Sequence, residues 1–247
     1  MSNNEQLVFY CLNFFVSKMQ AKTTTISSNP LAIGKGIFPF PDVVKVLDMP
    51  YRKVYAWMRR YWKGELGETF KSNYVWEVNG SRGVNFLTLV ELHTMMHLAD
   101  SGVRTQEVLE VRETLSVLYG TPTPFAHKAV LEGMYTKGNE VFWKTKNDTI
   151  TLTGKKPFQS DAISLLIEKL DFNEDSLASK YYPIGKEKPI VIDPRRQFGS
   201  PVLINNNIYP QTLYYLYKGG EPKDFIARLY RIKLEEVEAA IEYCQTQ

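Results

Sequence analysis

The segment PYRKVYAWMRRYWKG, residues 50–64, contains five basic residues and no acidic one. On a helix with about 100° per residue, the basic side chains gather within roughly one third of the circumference, and the opposite side is apolar or aromatic. The basic set is Arg52, Lys53, Arg59, Arg60 and Lys63, and the opposite set is Val54, Trp57, Met58, Tyr61 and Trp62. A helix divided in this way is expected to bury one face and to offer the other to phosphate.

The residues before this segment predict a second helix. Residues 41–49 (PDVVKVLDM) form a short apolar run, and Pro50 follows where the basic helix would begin. Proline is well tolerated at the start of a helix because the N–H that it lacks would have no partner there. Two short helices joined by a tight turn, of which the second is cationic, predict a helix-turn-helix.

A hairpin is predicted after the basic helix. Residues 69–86 alternate aromatic or β-branched residues with polar ones around Asn79-Gly80, which is a strong signal for a tight turn between two strands. Such a hairpin would make a wing, with Lys71 before its first strand and Arg82 near its tip. A plain polar hairpin is a nearly equal interpretation of these two cations.

The basic surface has two interpretations, a solvated face and an interface with duplex DNA. The second is favoured because no carboxylate interrupts the surface and because a helix, a turn and a hairpin surround it. The rings of residues 57, 61 and 62 are expected in the core, since a binder of single strands would interleave rings with cations on one surface. Arginines on such a helix can form bidentate contacts with guanine edges, and the remaining cations would contact phosphates. Which cation takes which role is left open by the sequence. The predicted DNA-binding residues are Arg52, Lys53, Arg59, Arg60, Lys63, Lys71 and Arg82.

The rest of the chain mixes helical patterns with short apolar strands, which predicts an α+β, mostly helical fold. Thr88 and Glu91 have the spacing of a capping box that opens a helix, and a helix from about Thr105 to Tyr119 is closed by Gly120. The other predicted elements are a hairpin of 141–143 with 149–153, a helix over 161–170, strands at 190–192 and 201–204, and helices over 210–218, 222–230 and 234–244.

Sequence breaks divide the chain into four predicted parts. The cluster Thr121-Pro-Thr-Pro124 ends the winged portion, and a polar stretch over 171–188 precedes the last unit. The parts are an N-terminal arm (residues 1–30), a winged helix-turn-helix DNA-binding domain (31–120), a connecting hairpin and helix (121–185), and a C-terminal helix-turn-helix-like module (186–247).

The composition is ordinary for a globular protein, with 44% hydrophobic residues and a net charge of only +3, so the basic charge is local. The two cysteines, Cys11 and Cys244, lie near opposite ends and favour a reducing, cytoplasmic setting. Residues 7–16 (LVFYCLNFFV) are too short to span a bilayer and lack the flanks of a secretory signal. We expect them to belong to an added arm or to an over-extended gene start before Met19.

No catalytic, cofactor or metal site is predicted. His93 and His97 stand four residues apart, but neither an adjacent glutamate nor a third-ligand signature accompanies them. No nucleophile elbow or Cys/His arrangement supports an enzyme. Residues 235, 236 and 238 are glutamates on the last predicted helix. They are interpreted as an exposed face, with contact to a basic partner as the alternative.

Residues 191–244 contain a Gly-x-Pro-Val strand, a polar turn, an Ile-x-Pro helix entry, a glycine break and a final helix with Ala-Ile. The positions are Gly199, Pro201, Ile208, Gly219, Ala240 and Ile241. This pattern resembles that of the domain-of-unknown-function-433 family, in which the helix entry is Ile-x-Pro or Ile-x-Thr and the last helix has Ala-Ile or Ala-Leu. Many members have Gly-Thr-Arg where this chain has Asn205-Asn206-Asn207, so no role of that arginine is carried over.

The preceding residues 170–185 (LDFNEDSLASKYYPIG) and the winged region are similar to antitoxins of the VapB type. Those proteins join a MerR-like DNA-binding domain to this C-terminal module. The resemblance implies a bacterial type II toxin-antitoxin regulator that binds its operator and neutralises a PIN-like ribonuclease toxin. A homodimer is expected because two half-sites give both affinity and register. The alternatives are a solitary transcriptional repressor and a protein-binding adaptor without a toxin partner.

Overall fold

The computed structural model describes residues 34–59, 75–78, 81–100, 102–137, 140–144, 149–153 and 160–246. The predicted arm at 1–30 and the predicted cations Arg60, Lys63 and Lys71 lie outside these residues. Helices and small antiparallel sheets make up the described chain, which agrees with an α+β fold. No helix in the described ranges combines the length and the apolarity needed to cross a bilayer.

The first region consists of two short helices and a three-stranded sheet. Its elements are β1 (Phe38–Pro39), α1 (Phe40–Leu47), α2 (Tyr51–Trp57), β2 (Val75–Val78) and β3 (Ser81–Val84). Strand β3 pairs with both β1 and β2, and the β2–β3 register places Val75 opposite Val84. Helix α1 ends where Asp48 adopts a left-handed conformation, with φ 49°. Pro50, predicted to open the second helix, is the N-cap residue directly before α2.

The middle of the chain adds helices and a second sheet. Its elements are α3 (Phe86–Asp100), α4 (Thr105–Tyr119), α5 (Lys128–Glu132), β4 (Met134–Lys137), β5 (Glu140–Lys144), β6 (Thr149–Thr153) and α6 (Ser160–Glu168). Helix α4 has the predicted bounds, and Gly120 closes it in a left-handed conformation. Strand β4, which pairs with β5, was not predicted from the sequence.

The predicted capping box at Thr88 is wrong. The backbone N–H of Thr88 donates to Asn85 Oδ1 at 2.9 Å, so Asn85 caps α3. Glu91 is fully buried instead, and its Oε2 accepts hydrogen bonds from Arg112 Nε and Nη2 at 3.1 and 2.9 Å. The backbone N–H of Phe125 donates to the other carboxylate oxygen at 3.1 Å. This buried ion pair therefore joins α3, α4 and the turn at 124–126.

The polar stretch over 171–188 contains a hairpin, formed by β7 (Leu170–Phe172) and β8 (Ala178–Tyr181). A single hydrophobic core runs from the first region through the middle of the chain to this hairpin. Its buried members include Val54, Leu92, Phe125, Trp143, Leu170 and Ala178. The break that the sequence suggested at residue 121 thus does not coincide with a break in the core.

The C-terminal domain has a core of its own. Its elements are β9 (Ile190–Val191), β10 (Val202–Leu203), α7 (Pro210–Lys218), α8 (Lys223–Tyr230) and α9 (Leu234–Gln245). The two strands pair antiparallel, and the three helices have nearly the predicted bounds. The buried residues of this second core include Ile190, Leu203, Leu213, Ile226, Val237 and Ile241.

The two cores meet where the start of the described chain crosses the C-terminal domain. The N–H of Ile37 donates to the carbonyl of Phe198 at 2.7 Å. Gly199 has a φ of +89°, and a Cβ there would lie 2.7 Å from the ring of Phe38. A Cβ at Gly36, φ +73°, would lie 2.8 Å from the same ring. Both glycines are therefore required by conformation and by close approach to Phe38.

Candidate nucleic-acid interface

Helix α2 has one buried and one exposed face. Val54, Trp57 and Met58 are at most 5% exposed and belong to the larger core. Arg52 and Arg59 are exposed. Neither arginine makes a hydrogen bond or ion pair with another residue that the structure describes, so both guanidinium groups are available to a ligand from solvent.

Lys53 differs from these two arginines. Its ammonium group donates to the carbonyl oxygen of Met96 at 3.3 Å and forms an ion pair with Asp100. Both partners lie at the end of α3. Lys53 therefore ties α2 to α3, and its charge is largely committed within the protein rather than offered on the exposed face.

Arg82 lies on β3, and its guanidinium carbon is 5.8 Å from the centre of the Tyr55 ring. This contact joins the hairpin to α2. The hairpin is formed as predicted, and of its two predicted cations only Arg82 falls within the described residues. Arg52 thus lies on α2, Arg59 follows two residues after the end of α2, and Arg82 lies on the hairpin; this helix and this hairpin are the elements that were predicted to bind DNA.

The exposed face of α2 also carries aromatic rings, which the sequence analysis did not single out. Tyr51 is 59% exposed and Tyr55 is 37% exposed. The Tyr51 ring meets Phe40 of α1 edge to face, with the ring centres 4.5 Å apart. The spacing of residues 51, 55 and 59 along one side of a helix was the available signal.

His93 and His97 form a close pair on α3. Their Nε2 atoms are 3.3 Å apart, and His93 Nδ1 is buried without a hydrogen-bond partner among the described residues. Burial, with contributions from His97 and Lys169, lowers the pKa of His93 to about 3. Burial also lowers the pKa of His97, with Asp100 opposing. Both rings are therefore neutral near pH 7.

Arg196 organises the turn of the C-terminal domain that contains residues 205–207, the three asparagines. It donates to Asn207 Oδ1 at 3.0 Å and to the carbonyl oxygens of Leu203 at 2.9 Å, Ile204 at 3.0 Å and Asn206. This role could not be predicted from the sequence, because the acceptors are mostly backbone atoms whose position depends on the folded turn.

The acidic face predicted on α9 is only partly a free surface. Glu236 is buried, where its carboxylate accepts from Asn205 Nδ2 at 3.2 Å and from the N–H of Lys233 at 2.9 Å. Glu238 forms an ion pair with Lys223 at 3.2 Å. The surface of this domain is instead marked by exposed apolar and aromatic side chains, which include Tyr215, Phe225, Leu229 and Leu234.

Comparisons with known proteins relate this chain to two proteins of Mycobacterium tuberculosis. One is a curated protein described as uncharacterized protein Rv2308, 34% identical over 62 residues. The match spans about a quarter of each chain, 25% of this one and 26% of the relative. The other is the crystal structure of Rv2018, with a TM-score of 0.57 and 14% sequence identity. That alignment covers 86% of this chain and 98% of the other, so the two share a fold over most of their lengths.

A family match covers the second core described above. It begins at the first residue of β9 and ends within α9, and it includes Arg196 and Gly199. Residues 190–244 form a domain of the family described as "Protein of unknown function (DUF433)".

Proposed function

We propose that this protein is a non-enzymatic, sequence-specific DNA-binding regulator with a MerR-like winged helix-turn-helix. Helix α2 would enter the major groove of duplex DNA, and the β2–β3 hairpin would contact the backbone. The observation that carries the proposal is the pair Arg52 and Arg59, exposed opposite a buried face and without partners among the described residues. Guanidinium groups in this position suit both guanine edges and phosphates.

The proposal is tested by selecting duplexes from a random library and by measuring affinity with fluorescence anisotropy. Arg59→Ala is expected to weaken binding to the selected site by about 1 to 3 kcal/mol if it contacts a base. Loss of a residue that contacts only phosphate would instead weaken binding to all sequences alike. It would also lower the slope of log affinity against log salt concentration by about one. If the double variant Arg52→Ala/Arg59→Ala binds as tightly as the wild type, the groove assignment is wrong.

Two control variants separate contact with DNA from folding. Arg228→Ala removes the same charge from an exposed position of the C-terminal domain and is expected to leave affinity unchanged apart from a small long-range effect. Lys53→Ala removes the contacts with Met96 and Asp100. It is expected to lower stability by about 0.5 to 1.5 kcal/mol and to reduce DNA affinity less than Arg59→Ala does.

A second activity, neutralisation of a PIN-like ribonuclease toxin, is favoured by the surface of the C-terminal domain. Phe225 and Leu229 lie one turn apart on α8 and are 41% and 55% exposed. Exposed apolar side chains that are grouped on a helix are typical of protein interfaces. The protein would then be the antitoxin of a type II pair and would act as a homodimer that represses its own operon from the cytoplasm.

The antitoxin role is tested by co-expression with the product of the adjacent reading frame. We expect the two proteins to purify together, and we expect Phe225→Ser/Leu229→Ser to disrupt the complex while DNA affinity is retained. Arg228→Ala serves as the matched change on the same helix. A neighbouring nuclease that remains toxic in the presence of this protein would refute the antitoxin role and would favour a solitary repressor.

A further inference from the structure

The exposed face of α2 is not purely cationic. Tyr51 and Tyr55 share it with Arg52 and Arg59, and Tyr51 has more than half of its surface in contact with solvent. Tyr51 is the first residue of α2 and Arg52 the second. In a helix-turn-helix, the first residues of the second helix are those that reach the edges of bases. An exposed ring at this position would face the base edges if α2 entered the major groove.

Neighbouring side chains hold these rings in place. The Tyr51 and Tyr55 rings are nearly parallel, with centres 6.3 Å apart, and the Phe40 ring stands perpendicular to Tyr51 at 4.5 Å. Phe40 is also edge-on to Tyr55 at 5.9 Å, and Arg82 lies over the Tyr55 ring. Because the rings are already ordered in the free protein, contact with a ligand costs little conformational entropy.

The same arrangement argues against stacking of unpaired bases. A stacking platform needs open ring faces. Here the Tyr51 and Tyr55 rings lie nearly parallel to each other, Phe40 meets Tyr51 at a right angle, and Arg82 lies over Tyr55. Tyr51 is thus a partly exposed aromatic ring that its neighbours hold in place, one residue before Arg52 on the same helix. In the major groove, the apolar group that distinguishes one base from the others is the C5 methyl group of thymine.

We propose that Tyr51, supported by Phe40 and Tyr55, contacts a thymine methyl group in the major groove of the operator. This inference rests on the proposed function, since it requires α2 to enter the groove. Tyr51 then selects thymine at one position of each half-site, while Arg52 and Arg59 supply contacts to neighbouring bases or phosphates.

The test uses the full-length protein and the best duplex from the random selection, with each thymine replaced in turn by deoxyuridine. This replacement removes only the methyl group. For the wild type, we expect about a three- to tenfold loss of affinity at one or two positions of each half-site. Tyr51→Ala should bind more weakly and should no longer distinguish thymine from deoxyuridine at those positions. Tyr51→Phe, which keeps the ring, should still distinguish them.

Tyr215→Ala is the matched control, because Tyr215 is a highly exposed tyrosine of the C-terminal domain. This variant should lose as much affinity on replacement of thymine by deoxyuridine as the wild type does. Thermal unfolding confirms that each variant is folded. The proposal is overturned if no thymine position responds, if Tyr51→Ala responds as the wild type does, or if single strands bind better than the duplex. If no duplex is bound at all, the DNA-binding function fails first and this inference falls with it.

Discussion

Arginine serves different purposes in the two regions of the molecule. Arg52 on α2 and Arg59, two residues after its end, are exposed and have no partner among the described residues. Arg196 in the C-terminal domain instead donates to four acceptors within one turn. In the first region, two arginines stand exposed opposite a buried helix face. In the second, Arg196 holds a turn together, and the exposed apolar side chains Phe225 and Leu229 lie on α8. Under the proposed functions, the first surface would meet a polyanion and the second an apolar partner.

Substitutions in each core test the two regions separately. The largest loss in the free energy of unfolding is expected from a substitution in the larger core. Glu91→Ala leaves Arg112 as a buried charge without its carboxylate, so we expect the free energy of unfolding to fall by about 3 to 5 kcal/mol. Urea unfolding followed by circular dichroism measures this loss. Glu113→Ala, an exposed glutamate on the same helix as Arg112, should cost far less. Equal losses for the two variants would contradict the structural role of Glu91.

A smaller loss is expected from Arg196→Ala in the C-terminal domain. The substitution leaves the carbonyl oxygens of residues 203, 204 and 206 without this donor, which should lower the free energy of unfolding by about 1 to 3 kcal/mol. The neighbouring exposed Arg195 provides the control variant, Arg195→Ala. In urea unfolding of this variant, tryptophan fluorescence reports on the larger core and far-ultraviolet circular dichroism on all helices. If both signals give the same lowered midpoint, the two cores unfold as one cooperative unit. If the midpoints differ, the cores unfold independently.

The smallest effect is a pH dependence confined to α3. Because the folded protein holds His93 with a lowered pKa, the unfolded chain takes up a proton first as the pH falls below about 6.5. The free energy of unfolding should therefore decrease from pH 6.5 to pH 5 by up to about 1.4 kcal/mol per pH unit for this residue. His93→Gln should remove most of that slope, and His127→Gln, at a less buried histidine, should remove little. A slope that His93→Gln leaves unchanged would contradict the structure around α3.

What could be predicted from the sequence depended on how local the signals were. Helices α4 and α7 are delimited by Gly120 and Pro210, which act within one turn of the helix ends, and the β2–β3 hairpin followed from its turn residues. Glu91 could not be assigned because its partner Arg112 is 21 residues away. The β7–β8 hairpin was missed because its turn depends on Asn173, whose side chain accepts from the N–H of Leu177.

The candidate interface shows the same limit. The buried face of α2 followed from helical periodicity, and Val54, Trp57 and Met58 are buried accordingly. Periodicity alone did not reveal that Lys53 would bind the end of α3, because that contact requires the packing of two helices. Nor did it show that Phe40 and Arg82 would hold Tyr51 and Tyr55, since those neighbours come from another helix and from a strand.

The position of Phe38 has a mechanical consequence. Its ring lies against two glycines, one near the start of the described chain and one in the C-terminal domain, and the strand that contains it leads directly into α1. Only Pro39 separates Phe38 from the first residue of α1, Phe40. A displacement of Gly199 relative to the larger core would therefore disturb the packing of Phe38 directly before the first turn of α1.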